Sequence, residues 1–430
     1  MISTMLLALA LQAQSTPPTK TPPAKSKPAT PASTTPAPPA PTPPASTPPA
    51  TTPPATSPAS TPGTLPSTVS GRPPEPPLKR VEGRRYEVKL EANIYLAPVA
   101  RGETAPLQLQ AVSAWVPIIT QSTWSQVDPD SLQAQLFVQG QQATSVRDRL
   151  TWKYGLPFGM AAVGMAIGDV SGQSLRWNMS WTEVVWNTQL NDAAAATIAW
   201  PQAWPDEVQA ALQPQPGIES NAPEFKQFVQ RVSGGKLRSV TPFVAAKQLI
   251  KATAGSFKTM DHTGLRQENG FTRGLMLQGA YAAMQSGNGS SHDLSAACVA
   301  VLRAAGIPAR VIVGATDIPA SSGVTRTRLI TWAEFYLPNA GWVPFDPLEI
   351  RRRATALPAP DKAWPSFGTW DDLNERLPLS YTWSAPVPGS QSLPYPAVWS
   401  WFATGTISGN AVANDMIGVQ LVNRGRVPQQ

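Results

Sequence analysis

The chain has 430 residues, of which 48 are proline, 34 basic and 27 acidic, for a net charge of +7. Only 14% of residues are charged and the basic ones are scattered, which speaks against nucleic acid as a partner. One cysteine, Cys298, excludes an internal disulfide, and with two histidines, His262 and His292, no zinc pattern of separated ligand pairs exists. No metal and no cofactor is expected.

Residues 1–15 carry a short apolar run, Met5 to Leu11, followed by small and polar residues, and read as a signal peptide. Residues 16–78 hold 23 of the prolines among Thr, Ala and Ser, and have nothing with which to form a core. They read as a disordered, extended spacer directly after the signal. Lys20, Lys25 and Lys27 within it would suit a negatively charged cell-envelope polymer. No later apolar stretch reaches the roughly 20 residues that a bilayer span needs. An extracytoplasmic location follows, whether periplasmic, envelope-associated or secreted.

The chain as a whole is 42% hydrophobic with 15 tryptophans, so the remainder can bury a substantial core. From 79 to 205 several short runs rich in β-branched and aromatic residues, such as SLRWNMSWTEVVWNT, alternate in polarity and predict an antiparallel, sandwich-like β domain. Trp115, Trp124, Trp152, Trp177, Trp181 and Trp186 are expected to fill its core rather than stack on glycan rings.

Helical signals follow. APEFKQFVQRVSGG ends on a glycine pair, and TPFVAAKQLIKATAGSF begins with Thr241 and Pro242, as an N-cap and first helical residue should. A further helix is predicted from about Arg273 to Gln285. Ser290 to Asp293 has the spacing of a capping box, opening a helix that Gly306 and Pro308 terminate. The strands RVIVGATD, LITWAEFYL and VPFDP come next. Residues 351–430 are mixed in pattern, and AVWSWFATGTI and MIGVQLV within them read as strands that extend a sheet.

The segment GSSHDLSAACVAVLRAAGIPARVIVG, with TWAEFYLPNAGWVPFDP after it, closely resembles the transglutaminase-like superfamily. The resemblance implies an α+β, papain-like core over 206–350. It implies a catalytic triad too: a cysteine at a helix start, a histidine on the following strand and an aspartate on the next. The family spacing places the nucleophile two residues after Gly289 and fifteen before Gly306, at Ser291. It places the histidine two residues before Trp332, at Ile330, and the aspartate at Asp346. One member of three survives.

The departure is chemically severe. A thiol of pKa near 8.5 is partly ionised by a helix terminus, whereas an alcohol lies closer to water's ~15.7. A deficit of roughly six pH units is about 8 kcal/mol, against about 2 from the helix. A serine therefore needs a base, and isoleucine has no proton-accepting atom. The first expectation is a non-catalytic binding or scaffold module of the cell envelope, with a peptide or glycan-peptide lying in a groove lined by Ser291, Ile330 and Trp332. The alternative is an amidase, peptidase or transamidase in which Ser291 is served by a relocated histidine, His292 or His262. Cys298, seven residues after Ser291 within AACVAV, reads as a small buried hydrophobe.

Overall fold

The computed structural model describes residues 75–98, 108–138, 144–172, 174–261, 265–268, 271–319, 325–353, 355–383, 400–404 and 411–428. The predicted leader and most of the proline-rich stretch lie outside them. The described elements belong to one compact unit, Gly71–Gln430. Among the described residues no helix is long and apolar enough to cross a membrane.

The chain begins with strands β1 (Leu78–Pro98), β2 (Gln108–Ile118), β3 (Ser125–Val138), β4 (Thr144–Ser145), β5 (Thr151–Lys153), β6 (Ala161–Ser171) and β7 (Ser174–Leu190). β7 shows why they form: Leu175, Trp177, Met179, Trp181 and Val185 are buried while the residues between them are half-exposed, the period-two pattern of a strand with one covered face. Helices α1 (Asp192–Ala195), α2 (Pro223–Ser233) and α3 (Pro242–Ser256) follow. α2 ends on Gly234 in the left-handed region at φ 56°, and the Thr241 hydroxyl caps α3 through the Val244 amide, as the sequence predicts.

Next come β8 (Thr259–Asp261), β9 (Leu265–Glu268), β10 (Phe271–Leu275) and α4 (Ala280–Ser286). The helix expected from Arg273 thus starts later: residues 271–275 are strand, and Gly279, at φ 96°, delays the helical turn to Ala280. The core is completed by β11 (Asn288–Ser290), α5 (Ser291–Ala304), β12 (Ala309–Pro319), β13 (Thr325–Leu337), β14 (Gly341–Phe345), α6 (Pro347–Arg352) and β15 (Arg376–Ser380). β16 (Ser400–Thr404) and β17 (Ala411–Val427) end the described chain.

Three larger sheets result. A seven-stranded sheet runs β4-β3-β7-β1-β17-β10-β9, one four-stranded sheet β16-β2-β6-β5, and the other β14-β13-β12-β15. The last strands extend the first two sheets, with β17 antiparallel to β1 from Gly83 opposite Val427 to Pro98 opposite Ala411. Trp115, Trp124, Trp177 and Trp181 are buried as expected. Trp152 and Trp186 are only half-buried, and the Arg80 guanidinium lies 4.5 Å from the Trp186 ring.

α5 passes through the centre of the core, with Leu294 to Leu302 fully shielded from water. A buried polar set joins β13 to the N-terminal strands. Trp124 Nε1 donates to Glu334 at 2.5 Å, Arg310 reaches the same carboxylate at 2.8 Å, and Arg310 donates to the Tyr381 hydroxyl at 2.9 Å. Each charge here has a partner, which the low-dielectric interior demands.

Candidate functional site

The first turn of α5 is fixed from both sides. Ser290 accepts the Asp293 amide on its hydroxyl, and the Asp293 carboxylate accepts the Ser290 amide at 2.9 Å, so the expected capping box is formed. The other Asp293 oxygen takes the amides of Gln278 and Gly279 at 2.7 and 3.2 Å, pinning the preceding loop. Gly289 fits because a Cβ there would stand 2.9 Å from that of Asp293. Ser291 is thereby the first helical residue, half-buried, and its hydroxyl receives no hydrogen bond from the described residues.

β13 supplies Ile330, 9% exposed, and the junction of β14 with α6 supplies Asp346. Ser291, Ile330 and Asp346 line one recess of about 160 Å³, together with Thr316, Arg328 and Arg376. The three positions picked out by spacing are therefore neighbours in space. Asp346 caps α6 through the amides of Leu348 and Glu349, at 2.9 and 3.2 Å. Its second oxygen accepts from Arg376 at 2.9 Å. Burial pushes the Asp346 carboxyl up from its usual range, opposed by the Arg376 charge and the two amides. Arg376, from β15, itself lies over the Trp370 ring at 4.5 Å. The side chain that pairs with this aspartate is an arginine. Arg376 lies thirty residues beyond Asp346 in sequence, inside a segment without a legible pattern.

The remaining sequence candidates go elsewhere. His292 is 3% exposed, with Nδ1 2.5 Å from the Thr331 hydroxyl and its ring edge-on to Trp383. Burial, then the Arg328 charge, lowers its pKa to about 4, so it is neutral at pH 7 and a poor proton acceptor. His292 is not among the residues that line the recess, although its partner Thr331 is.

Trp332 was expected in the groove and is instead fully buried, tilted against Trp124 at a centroid distance of 5.7 Å. It fits because Gly314 has no side chain: a Cβ there would come within 2.2 Å of the Trp332 ring. His262 lies outside the described residues. Cys298 is fully buried, and desolvation pushes its thiol far up, consistent with a packing residue. Among the described residues no cluster of three or more His, Cys, Asp or Glu side chains could hold a metal ion.

Residues 230–347 match a family model described as the transglutaminase-like superfamily. No curated protein matches the chain. Among solved structures, a protein described as a candidate cysteine protease from Cytophaga hutchinsonii is similar at 11% identity and a TM-score of 0.45, covering 81% of this chain and 93% of that one. The periplasmic domain of TgpA from Pseudomonas aeruginosa is similar at 16% identity and a TM-score of 0.29, covering 62% of this chain and 90% of that one. These are distant similarities of shape, and the family assignment rests on residues 230–347.

Proposed function

Since residues 230–347 form a transglutaminase-like core with a papain-like α+β arrangement, we propose that this core is non-catalytic and serves as a binding or scaffold module outside the cytoplasm. The observation that carries the reading is the occupant of the base position. Ile330 lines the recess beside Ser291 and Asp346, and the described histidine, His292, is turned to Thr331. Without a base among the described residues beside it, the Ser291 hydroxyl is not ionised at neutral pH by a helix terminus alone.

Arg376 supports the same conclusion. Its ion pair with Asp346 neutralises the carboxylate that would otherwise orient an imidazole. The recess retains hydroxyl, carboxylate and guanidinium groups, suited to holding a peptide or glycan-peptide without cleaving it. The apolar run at residues 5–11 and the proline-rich spacer support export to the envelope.

The test is an assay of the purified full chain for amide hydrolysis and for transamidation of glutamine peptides. Wild type is expected to be inactive in both. Activity that disappears in Ser291→Ala and in His262→Ala would overturn the reading and establish a serine-dependent enzyme. The double variant Ser291→Cys/Ile330→His restores nucleophile and base beside Asp346, and is expected to gain measurable thiol-dependent hydrolysis over wild type.

A further inference from the structure

A cavity of about 560 Å³, separate from the recess at Ser291, forms a trough on the outer face of the seven-stranded sheet. The strand registers define its floor. Gln420, Lys89, Ser180 and Gln133 form one row across β17, β1, β7 and β3. Gly418, Glu91, Asn178 and Gln135 form a second, which continues to Ser145 on β4. The residues between the rows include Leu90, Met179 and Ala134, whose side chains are buried on the opposite face. With strands about 4.8 Å apart and alternate residues about 6.7 Å apart, each four-strand row is about 14 Å long and the rows stand about 6.7 Å apart. That is a site for a chain, longer than one sugar ring or one amino acid.

Its chemistry is amide and hydroxyl. The two charged residues of the rows have near neighbours: Lys89 lies 3.5 Å from Glu87, and Glu91 accepts from the neutral Asn93 amide at 2.8 Å. The side chains of Gln133, Gln135, Asn178, Ser180 and Gln420 make no hydrogen bond with described residues. The Asn178 carbonyl oxygen is buried without a partner, as is Arg176 Nε one row away. An unmet buried acceptor and an unmet buried donor, two residues apart on β7, each carry a free-energy penalty.

These features decide between ligand classes. The charges in and beside the rows are mixed in sign, with Lys89 and Glu91 on the floor and Arg176 one row away, so a polymer of one sign meets repulsion as well as attraction. A protein surface normally needs aromatic or aliphatic anchors in pockets, and the apolar side chains of this region point inward. Vicinal hydroxyls, each both donor and acceptor, match a floor of planar amides that also offer both. We propose that this trough binds a neutral, polyhydroxylated glycan chain, at a site separate from the recess containing Ser291.

The experiment is calorimetric titration of the full chain with chitohexaose, cellohexaose and maltohexaose, and with a neutral Gly/Ser hexapeptide. At least one hexasaccharide is expected to bind with 1:1 stoichiometry, and Asn178→Ala/Gln135→Ala is expected to weaken it tenfold or more. Gln133→Ala/Gln420→Ala alters two exposed side chains and serves as a second test should the first variant fold poorly. Its expected loss is at least threefold. No binding of any hexasaccharide, binding of the peptide in preference, or unchanged affinity in a folded trough variant would each overturn the proposal.

Discussion

Glu183 sits on the inward face of β7, 1% exposed, and its neighbours along that face of the strand, Trp181 and Val185, are apolar. One carboxyl oxygen accepts from Trp181 Nε1 at 3.3 Å and the other has no partner. Desolvation raises its pKa from 4.5 to about 8, opposed only by hydrogen bonds from Trp181 and Ser125. The native state therefore holds a proton that the unfolded chain releases above pH 4.5. The stability associated with that proton is fully present below pH 4.5 and is lost as pH rises to about 8, at up to about 1.4 kcal/mol per pH unit. The accumulated loss is several kcal/mol, a large share of the 5–15 kcal/mol typical of a domain. Glu183→Gln keeps the shape and removes the titration. Urea unfolding of both proteins at pH 5, 6, 7 and 8 should show wild type losing stability relative to the variant as pH rises. The comparison cancels titrations common to both, including His292 and Asp346. Parallel curves would refute the assignment of a neutral, buried carboxyl.

Other substitutions probe the frame around the recess. Gly314→Ala drives a methyl to 2.2 Å from the Trp332 ring and 2.4 Å from the Leu377 carbonyl; a loss of about 3 kcal/mol is expected in urea midpoints. Lys247, fully buried on α3, donates to Asp192 and to the Lys362 carbonyl, both at 2.7 Å. Lys247→Ala strands that carboxylate and should cost about 3–5 kcal/mol by chemical denaturation, with Lys247→Met milder. Ser290→Ala removes the α5 cap and should cost about 1 kcal/mol, read as a lower melting temperature.

The local signals in the sequence were strong where one helix or strand carries its own instructions. The Ser290 to Asp293 spacing announces the start of α5, Thr241-Pro242 that of α3, and the alternation around Trp177 the covered face of β7. The spacing that selected Ser291, Ile330 and Asp346 corresponds to three residues lining one recess. What failed depended on partners distant in sequence. Ile330 and Trp332 share a strand face by parity, yet nothing near them discloses that Trp124 covers the tryptophan or that Gly314 makes room for it. The run from about Arg273 to Gln285 reads as one helix, yet residues 271–275 are strand and Gly279, at φ 96°, precedes the helix at Ala280. Arg376 as the partner of Asp346 required knowing that β15 lies beside β12.

The pairing of β1 with β17 bears on the order in which the chain can acquire structure. β1 is an interior strand whose neighbours are β7 and β17, and the latter lies more than 300 residues downstream. Until Ala411–Val427 arrives, one long edge of β1 presents unpaired amides and carbonyls, the condition that invites mispairing. A chain still being synthesised or threaded through a pore thus cannot complete this sheet from its amino-terminal part alone. Such non-local closure makes for slow folding.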